Sequence, residues 1–211
     1  RHGGARKVLE DMKGQTAHTL AQGADHVARM IPETTPGSSL FTNCAACGAH
    51  PVHGEYRWDS KEPEHLTCTT CGTVYPNEKY PEDAEFRADR HGNGQVITFH
   101  SGYHFFGFGF HIFSSWTANI RARKVAHMAS QAEALAKVYA LTGERGYAEK
   151  VREILLRFAE VYPNYLVHSG YGEWIDLPPH LAAEKTNDLP EDEWTLPPNK
   201  PDRKLHSGYW N

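Results

Sequence analysis

Two sets of residues in this 211-residue chain have the types and spacing to do chemistry. The first comprises all four cysteines, in two copies of one device: Cys44-Ala-Ala-Cys47-Gly48 and Cys68-Thr-Thr-Cys71-Gly72. A Cys-x-x-Cys turn aims two sulfurs at one point. Glycine after the second cysteine tolerates the left-handed backbone that turns amides toward thiolates. The intervening residues 48–67 fit the spacing of a four-cysteine zinc site. In that reading Cys44, Cys47, Cys68 and Cys71 all ligate, no coordination position stays open, and the zinc is structural rather than catalytic. Two disulfides are the competing reading, which an extracytoplasmic location would permit; the paired glycines favour metal. A zinc ribbon is also common in nucleic-acid machinery, so the module alone assigns no function. His50, His53 and His65 share the segment and read as solvated loop histidines.

The second set is a repeated string: His100-Ser-Gly-Tyr103, His168-Ser-Gly-Tyr171 and His206-Ser-Gly-Tyr209. The offsets are unequal, which excludes a solenoid period. Ser-Gly supports a tight turn, so each His and Tyr flanks a bend. One reading gathers imidazole and phenol groups around a cleft. The other is a recurring loop with Tyr packed and His solvated. The chain holds 14 His, 5 Trp, 10 Tyr and 9 Phe, a composition suited to proton transfer, metal ligation and sugar stacking. Neither a Gly-x-Ser-x-Gly elbow, nor a P-loop, nor a dinucleotide fingerprint occurs.

Length and composition constrain the frame that must position these groups. The chain is long enough to bury a core without disulfides. Hydrophobic residues make up 39%, which excludes wholesale disorder and a multi-span membrane protein. The net charge of −4 gives no global basic footprint for nucleic acid. From His91 to Ile120 there is no Asp, Glu, Lys or Arg, yet glycines and histidines interrupt the run. Phe106-Gly-Phe-Gly-Phe110 alternates with period two, so β and loop structure is expected there rather than a spanning helix.

Helices are expected over residues 5–31, 117–141 and 147–162. In the second, Met128, Ala132, Leu135, Ala136 and Tyr139 recur at helical spacing; in the third, Val151, Ile154, Leu155, Phe158 and Tyr162 do. The Gly-bearing turn Thr142–Gly146 makes those two antiparallel neighbours. Residues 77–95 are polar and expected to lack regular structure. The Pro-rich, acidic tail over 172–205 can wrap a surface but not form long helices. The expected organisation is an N-terminal helix and linker (1–40), a zinc-ribbon-like module (41–76) and a helical remainder (77–211).

Charge is uneven. Residues 87–127 carry Arg87, Arg90, Arg121, Arg123, Lys124 and five histidines against Asp89 alone, whereas residues 173–193 are strongly acidic. The basic, aromatic stretch suits an anionic ligand with stackable faces, which acidic polysaccharide and single-stranded nucleic acid both are; a solvated helix face accounts equally for residues 121–124.

Residues 132–165, AEALAKVYALTGERGYAEKVREILLRFAEVYPNY, resemble the helical repeat of the heparinase II/III-like polysaccharide lyases. Trp116-x-x-Asn119 leading into the hairpin, the Cys-x-x-Cys-Gly module before it and Ser207-x-Tyr209-Trp210 after the tail are similar to that family as well. The resemblance covers residues 113–211 well and the N-terminal part loosely.

It implies a mainly α fold, an incomplete (α/α) toroid of antiparallel hairpins with a small β zinc-ribbon-like module. It implies β-elimination in a uronic-acid-containing polysaccharide and a periplasmic or secreted location. No position matches the family's catalytic Asn, Tyr and His, so no catalytic residue is carried over. Tyr103, His104, His206, Tyr209 and Trp210 are the candidate contacts to an anionic polysaccharide. The abrupt aromatic end, and too few hairpins to close a toroid, raise the expectation that the chain continues in a longer enzyme. The competing expectations are a toroidal glycoside hydrolase, with Glu173 and Asp176 as its carboxylates, and a zinc-ribbon binding module without catalysis. No nucleic-acid partner and no membrane span are expected.

Overall fold

A computed structural model describes residues 2–37, 42–49, 56–87, 95–107 and 110–165. The chain divides into two compact units. One spans residues 1–32 and 124–162, the other residues 33–123 and 163–211.

The first unit is helical. It contains α1 (His2–Ala21), α2 (Ala24–Met30), α4 (Arg145–Val161) and α3 (Trp116–Thr142) from Lys124 onward. The single helix expected over 5–31 is broken at Gln22-Gly23, where Gly23 is extended and caps α2. Glycine lowers helix propensity enough for packing to decide the break. The expected glycine-bearing connection between α3 and α4 forms. It turns through Gly143 at φ +71, whose N–H donates to the Tyr139 carbonyl at 2.8 Å. Met128, Ala132, Leu135 and Val138 form the buried face of α3, and Tyr147, Lys150, Ile154 and Val161 that of α4. The expected stripes are therefore half right, because Tyr139, Leu155 and Tyr162 are exposed.

Two cations on α4 close the ends of the N-terminal helices. The Lys150 ammonium, its side chain 9% exposed, donates to the Gln22 carbonyl at 2.6 Å and pairs with Glu153. Arg157 Nε donates to the Ile31 carbonyl at 3.0 Å. Carbonyls at a helix C-terminus lack intrahelical donors and carry partial negative charge, so cations are favourable there.

The second unit is built mainly from short antiparallel strands. β1 (Tyr56–Arg57), β2 (Leu66–Cys68) and β3 (Val74–Tyr75) form a three-stranded sheet in the order β1-β2-β3. β4 (Ala84–Arg87) pairs with β5 (Val96–Phe99), and β6 (His104–Gly107) with β7 (Phe110–Phe113). The reading of residues 77–95 as irregular misses β4. Its pairing, Ala84 opposite Phe99 through Arg87 opposite Val96, is supplied by β5 rather than by any alternation of its own.

The first turn of α3 is capped twice. Ser115 Oγ accepts from the Ala118 N–H at 3.2 Å, and the Glu82 carboxylate accepts from the Thr117 N–H at 2.9 Å and its hydroxyl at 2.6 Å. Gly37 N–H donates to the Ala118 carbonyl at 2.9 Å. A Cβ at Gly37 would lie 2.5 Å from Ala118 Cβ, so only glycine fits that approach.

The expected incomplete toroid is not what the chain builds. Among the described residues there are four helices, and those described between α2 and α3 form short strands and loops. A toroid requires successive hairpins, each covering its neighbour's apolar stripe. Here strand pairs interrupt the helices after α2, and only α3 and α4 follow among the described residues. The uncharged run from His91 holds β5 to β7 and the start of α3; among the described residues no helix is long and apolar enough to cross a membrane.

The helical unit also carries a pH dependence. His26 is buried, its ring edge-to-face with His18 at 5.7 Å, and Arg29 Nη2 donates to its Nδ1 at 3.2 Å. Burial lowers its pKa, and Arg29, His18, His127 and Lys150 lower it further. A histidine kept neutral by folding contributes stability above its unfolded pKa of about 6.5, and that contribution is lost as pH falls through this value. Denaturant melts should therefore show stability decreasing from pH 7.5 to 5.5, with a smaller decrease in His26→Gln. An equal decrease in the variant would rule His26 out as the sensor.

Candidate metal centre

The two cysteine turns are local copies of each other in backbone as well as sequence. Gly48 N–H donates to Cys44 O at 2.8 Å and Gly72 N–H to Cys68 O at 2.9 Å. Each turn closes with a return bond, Cys44 N–H to Ala49 O at 3.3 Å and Cys68 N–H to Thr73 O at 2.9 Å. Gly48 and Gly72 have φ of +66 and +76, the left-handed conformation that the motif requires. β2 carries Cys68 at its end and pairs with both neighbouring strands, which fixes the second turn against the sheet.

The four sulfurs converge within 4.8 Å of one another, and all four thiols are free, not disulfide-bonded. Cys44 and Cys71 are 3.6 Å apart, Cys47 and Cys68 4.0 Å. A tetrahedron with Zn–S bonds of about 2.3 Å has sulfurs about 3.8 Å apart. The two measured distances bracket that edge, and a donor set of four sulfurs suits a soft or borderline cation. Cys44, Cys47, Cys68 and Cys71 are thus positioned to hold a metal ion. His65 is exposed, as expected of a loop histidine; His50 and His53 lie outside the described residues.

The sequence did not single out Tyr75 and Thr73, which serve the sulfurs. The Tyr75 hydroxyl lies 3.2 Å from Cys44 Sγ and accepts from the Ala46 N–H at 3.0 Å. Tyr75 is fully buried, and burial pushes its phenol pKa up, so the hydroxyl stays protonated and can donate to sulfur. The Thr73 hydroxyl, 3.2 Å from Cys71 Sγ, together with the Thr73 amide, pulls that thiol down to about 6, whereas burial pushes Cys44 up. A hydroxyl two or four residues beyond the second turn was the available signal, and it is too common in sequences to be diagnostic.

The centre opens onto an aromatic cluster. Tyr75 stacks on Trp116 with centroids 4.1 Å apart and planes at 13°. Tyr56 and Tyr80 pack on the edges of Tyr75 at 6.1 and 5.9 Å. Trp116 is fully buried, and its Nε1 donates to the Asn43 carbonyl and the Tyr56 hydroxyl, each at 3.2 Å.

The first copy of the repeated string borders this cluster. His100 is buried rather than solvated. Its ring lies 5.5 Å from that of Trp116, and its Nδ1–H donates to the Pro81 carbonyl at 2.7 Å. Ser101 is bound through its amide and hydroxyl by the Asp83 carboxylate at 2.9 and 3.0 Å. Tyr103 is half-buried, its hydroxyl 3.5 Å from where a Cβ would stand on Gly48. His104 is exposed on β6, its ring 5.3 Å from that of Phe113. His206, Tyr209, Trp210 and the second and third strings lie outside the described residues, as do Glu173 and Asp176.

Tyr75→Phe keeps the stacked ring and removes only the hydroxyl. Loss of such an outer partner typically costs about 10–100-fold in metal affinity. Chelator competition should show a loss in that range for the variant; unchanged affinity would mean that Tyr75 only packs.

No family model matches the chain, and neither the curated proteins nor the solved structures contain a match to it.

Proposed function

We propose that zinc fills the four-cysteine centre as a structural ion and that the chain serves a polysaccharide lyase acting on uronic-acid-containing polysaccharide. The zinc reading is carried by four convergent thiols, two pairs of which lie near the edge length of a zinc–sulfur tetrahedron. With four protein ligands no position remains for water or substrate, so the ion's contribution is to folding. Metal analysis of the purified protein should find one zinc per chain. Stripping it with a strong chelator should lower the unfolding midpoint and expose the thiols to alkylation. Full stability without any bound metal would overturn this reading.

The lyase reading is supported by the resemblance of residues 132–165 to the helical repeat of the heparinase II/III-like lyases. The α3–α4 hairpin with its left-handed Gly143 is where that repeat falls. The buried Trp116 and Asn119 begin it. The basic face of the anionic-ligand stretch is partly committed elsewhere, since Arg121 Nε binds the Thr35 carbonyl at 2.9 Å and Arg123 Nε binds Asn119 Oδ1 at 2.8 Å. This leaves Tyr103 and His104 as the described candidates for polysaccharide contact, in a periplasmic or secreted setting. β-Elimination at a uronate needs the substrate carboxylate neutralised and the adjacent C–H proton removed by a base. The test is the appearance of unsaturated uronate, by its ultraviolet absorbance, when the protein meets a panel of acidic polysaccharides. Neither product nor retention on any of them would overturn the reading, and saturated reducing ends would point to hydrolysis instead.

A further inference from the structure

We infer that the four-cysteine centre is also an oxidative modification site, which hydroperoxide converts to two disulfides, Cys44–Cys71 and Cys47–Cys68, with loss of the metal. The inference rests on the zinc reading above and adds a chemistry to the same sulfurs.

The geometry that carries it is an alternation of exposure. Cys47 and Cys71 are exposed, whereas Cys44 is 0% and Cys68 3% exposed. The 3.6 Å contact joins exposed Cys71 to buried Cys44 of the other turn, and the 4.0 Å contact joins exposed Cys47 to buried Cys68. Each pair thus holds one sulfur that a small oxidant in solvent can reach and one that it cannot. The buried sulfur is already in place to attack its partner once that partner is oxidised. A disulfide needs an S–S separation of about 2.05 Å. The two pairs stand about 1.5–2 Å from it, the backbone of both turns being held by the return bonds described above.

The electrons balance without any further reagent. The Cys71 thiolate attacks one peroxide oxygen: an S–O bond forms, the O–O bond breaks, and hydroxide leaves and is protonated to water. The Cys44 thiolate then attacks the Cys71 sulfur: the S–S bond forms, the S–O bond breaks, and a second hydroxide leaves and is protonated. Two thiolates lose two electrons, and one hydroperoxide gains them. A disulfide sulfur no longer carries the charge that binds the cation, so two thiolates remain where there were four. Cys47 and Cys68 follow with a second peroxide. The Tyr75 hydroxyl loses its anionic acceptor when the Cys44–Cys71 bond forms.

The test titrates the zinc-loaded chain with hydrogen peroxide in the presence of a zinc-sensitive dye and counts remaining thiols. One zinc should be released as the first two thiols disappear, and reductant with added zinc should restore the starting state. Proteolysis without reduction separates the turns, because Arg57 and Lys61 lie between them. Both cysteines of each turn stay on one peptide, so fragmentation of the linked pair in the mass spectrometer must assign the bonds; it should find Cys44 joined to Cys71 and Cys47 to Cys68, and Cys44–Cys68 with Cys47–Cys71 would overturn the pairing. Bonds within the turns, Cys44–Cys47 and Cys68–Cys71, would overturn the inference, as would sulfinic acids without disulfide or zinc retained after thiol loss. If the protein carries no zinc yet forms the two cross-turn bonds, the metal reading fails and the pairing stands.

Discussion

The second unit depends on one side chain with two commitments. The Tyr75 hydroxyl reaches Cys44 Sγ, and the Tyr75 ring lies flat on Trp116, the first residue of α3. The metal centre and the start of the long helix therefore share a wall. Trp116 is also held by the Asn43 carbonyl, one residue before Cys44. A stacked aromatic pair contributes about 0.5–1.5 kcal/mol beyond its buried area. Structural zinc in small domains supplies about 10–16 kcal/mol of apparent binding energy at neutral pH. A unit whose described strands are two to four residues long has little ladder energy of its own.

The helical unit is held by a different balance. Its apolar stripes supply the bulk of the contact, but Lys150 and Arg157 decide how the N-terminal helices end against α4. A buried ammonium is costly unless it is paired and hydrogen-bonded. Lys150 is both, with Glu153 as its counter-ion and a helix-terminal carbonyl as its acceptor. Nearby, His26 is kept neutral by burial and by the surrounding cations. One unit gathers four sulfurs positioned to hold a metal ion, and the other encloses a histidine whose charge depends on pH.

Much of the candidate site was legible in the sequence. Two Cys-x-x-Cys-Gly turns specify both their sulfurs and the left-handed glycine, because those constraints act within five residues. The α3–α4 hairpin was legible for a similar reason, as apolar positions recur at helical spacing on either side of a glycine turn. The toroid was not a sound extension of that hairpin. A repeat motif says how two helices meet, not that further pairs stack beside them. Of the two readings of the repeated string, the solvated-histidine one does not hold for its first copy, because whether a histidine is solvated depends on what packs above it. His100 meets Trp116 and Pro81, which are distant from it in sequence.

The sequence by itself determined the donor set, the local turns and the helical hairpin, all consequences of short-range geometry and of periodicity. Tertiary structure alone decided which sulfurs are exposed, which hydroxyls serve them and that Tyr75 lies on Trp116. It also decided that Leu155 faces water while Lys150 does not. Such outcomes depend on contacts between residues far apart in the chain, and periodicity within one helix carries no information about what lies across from it.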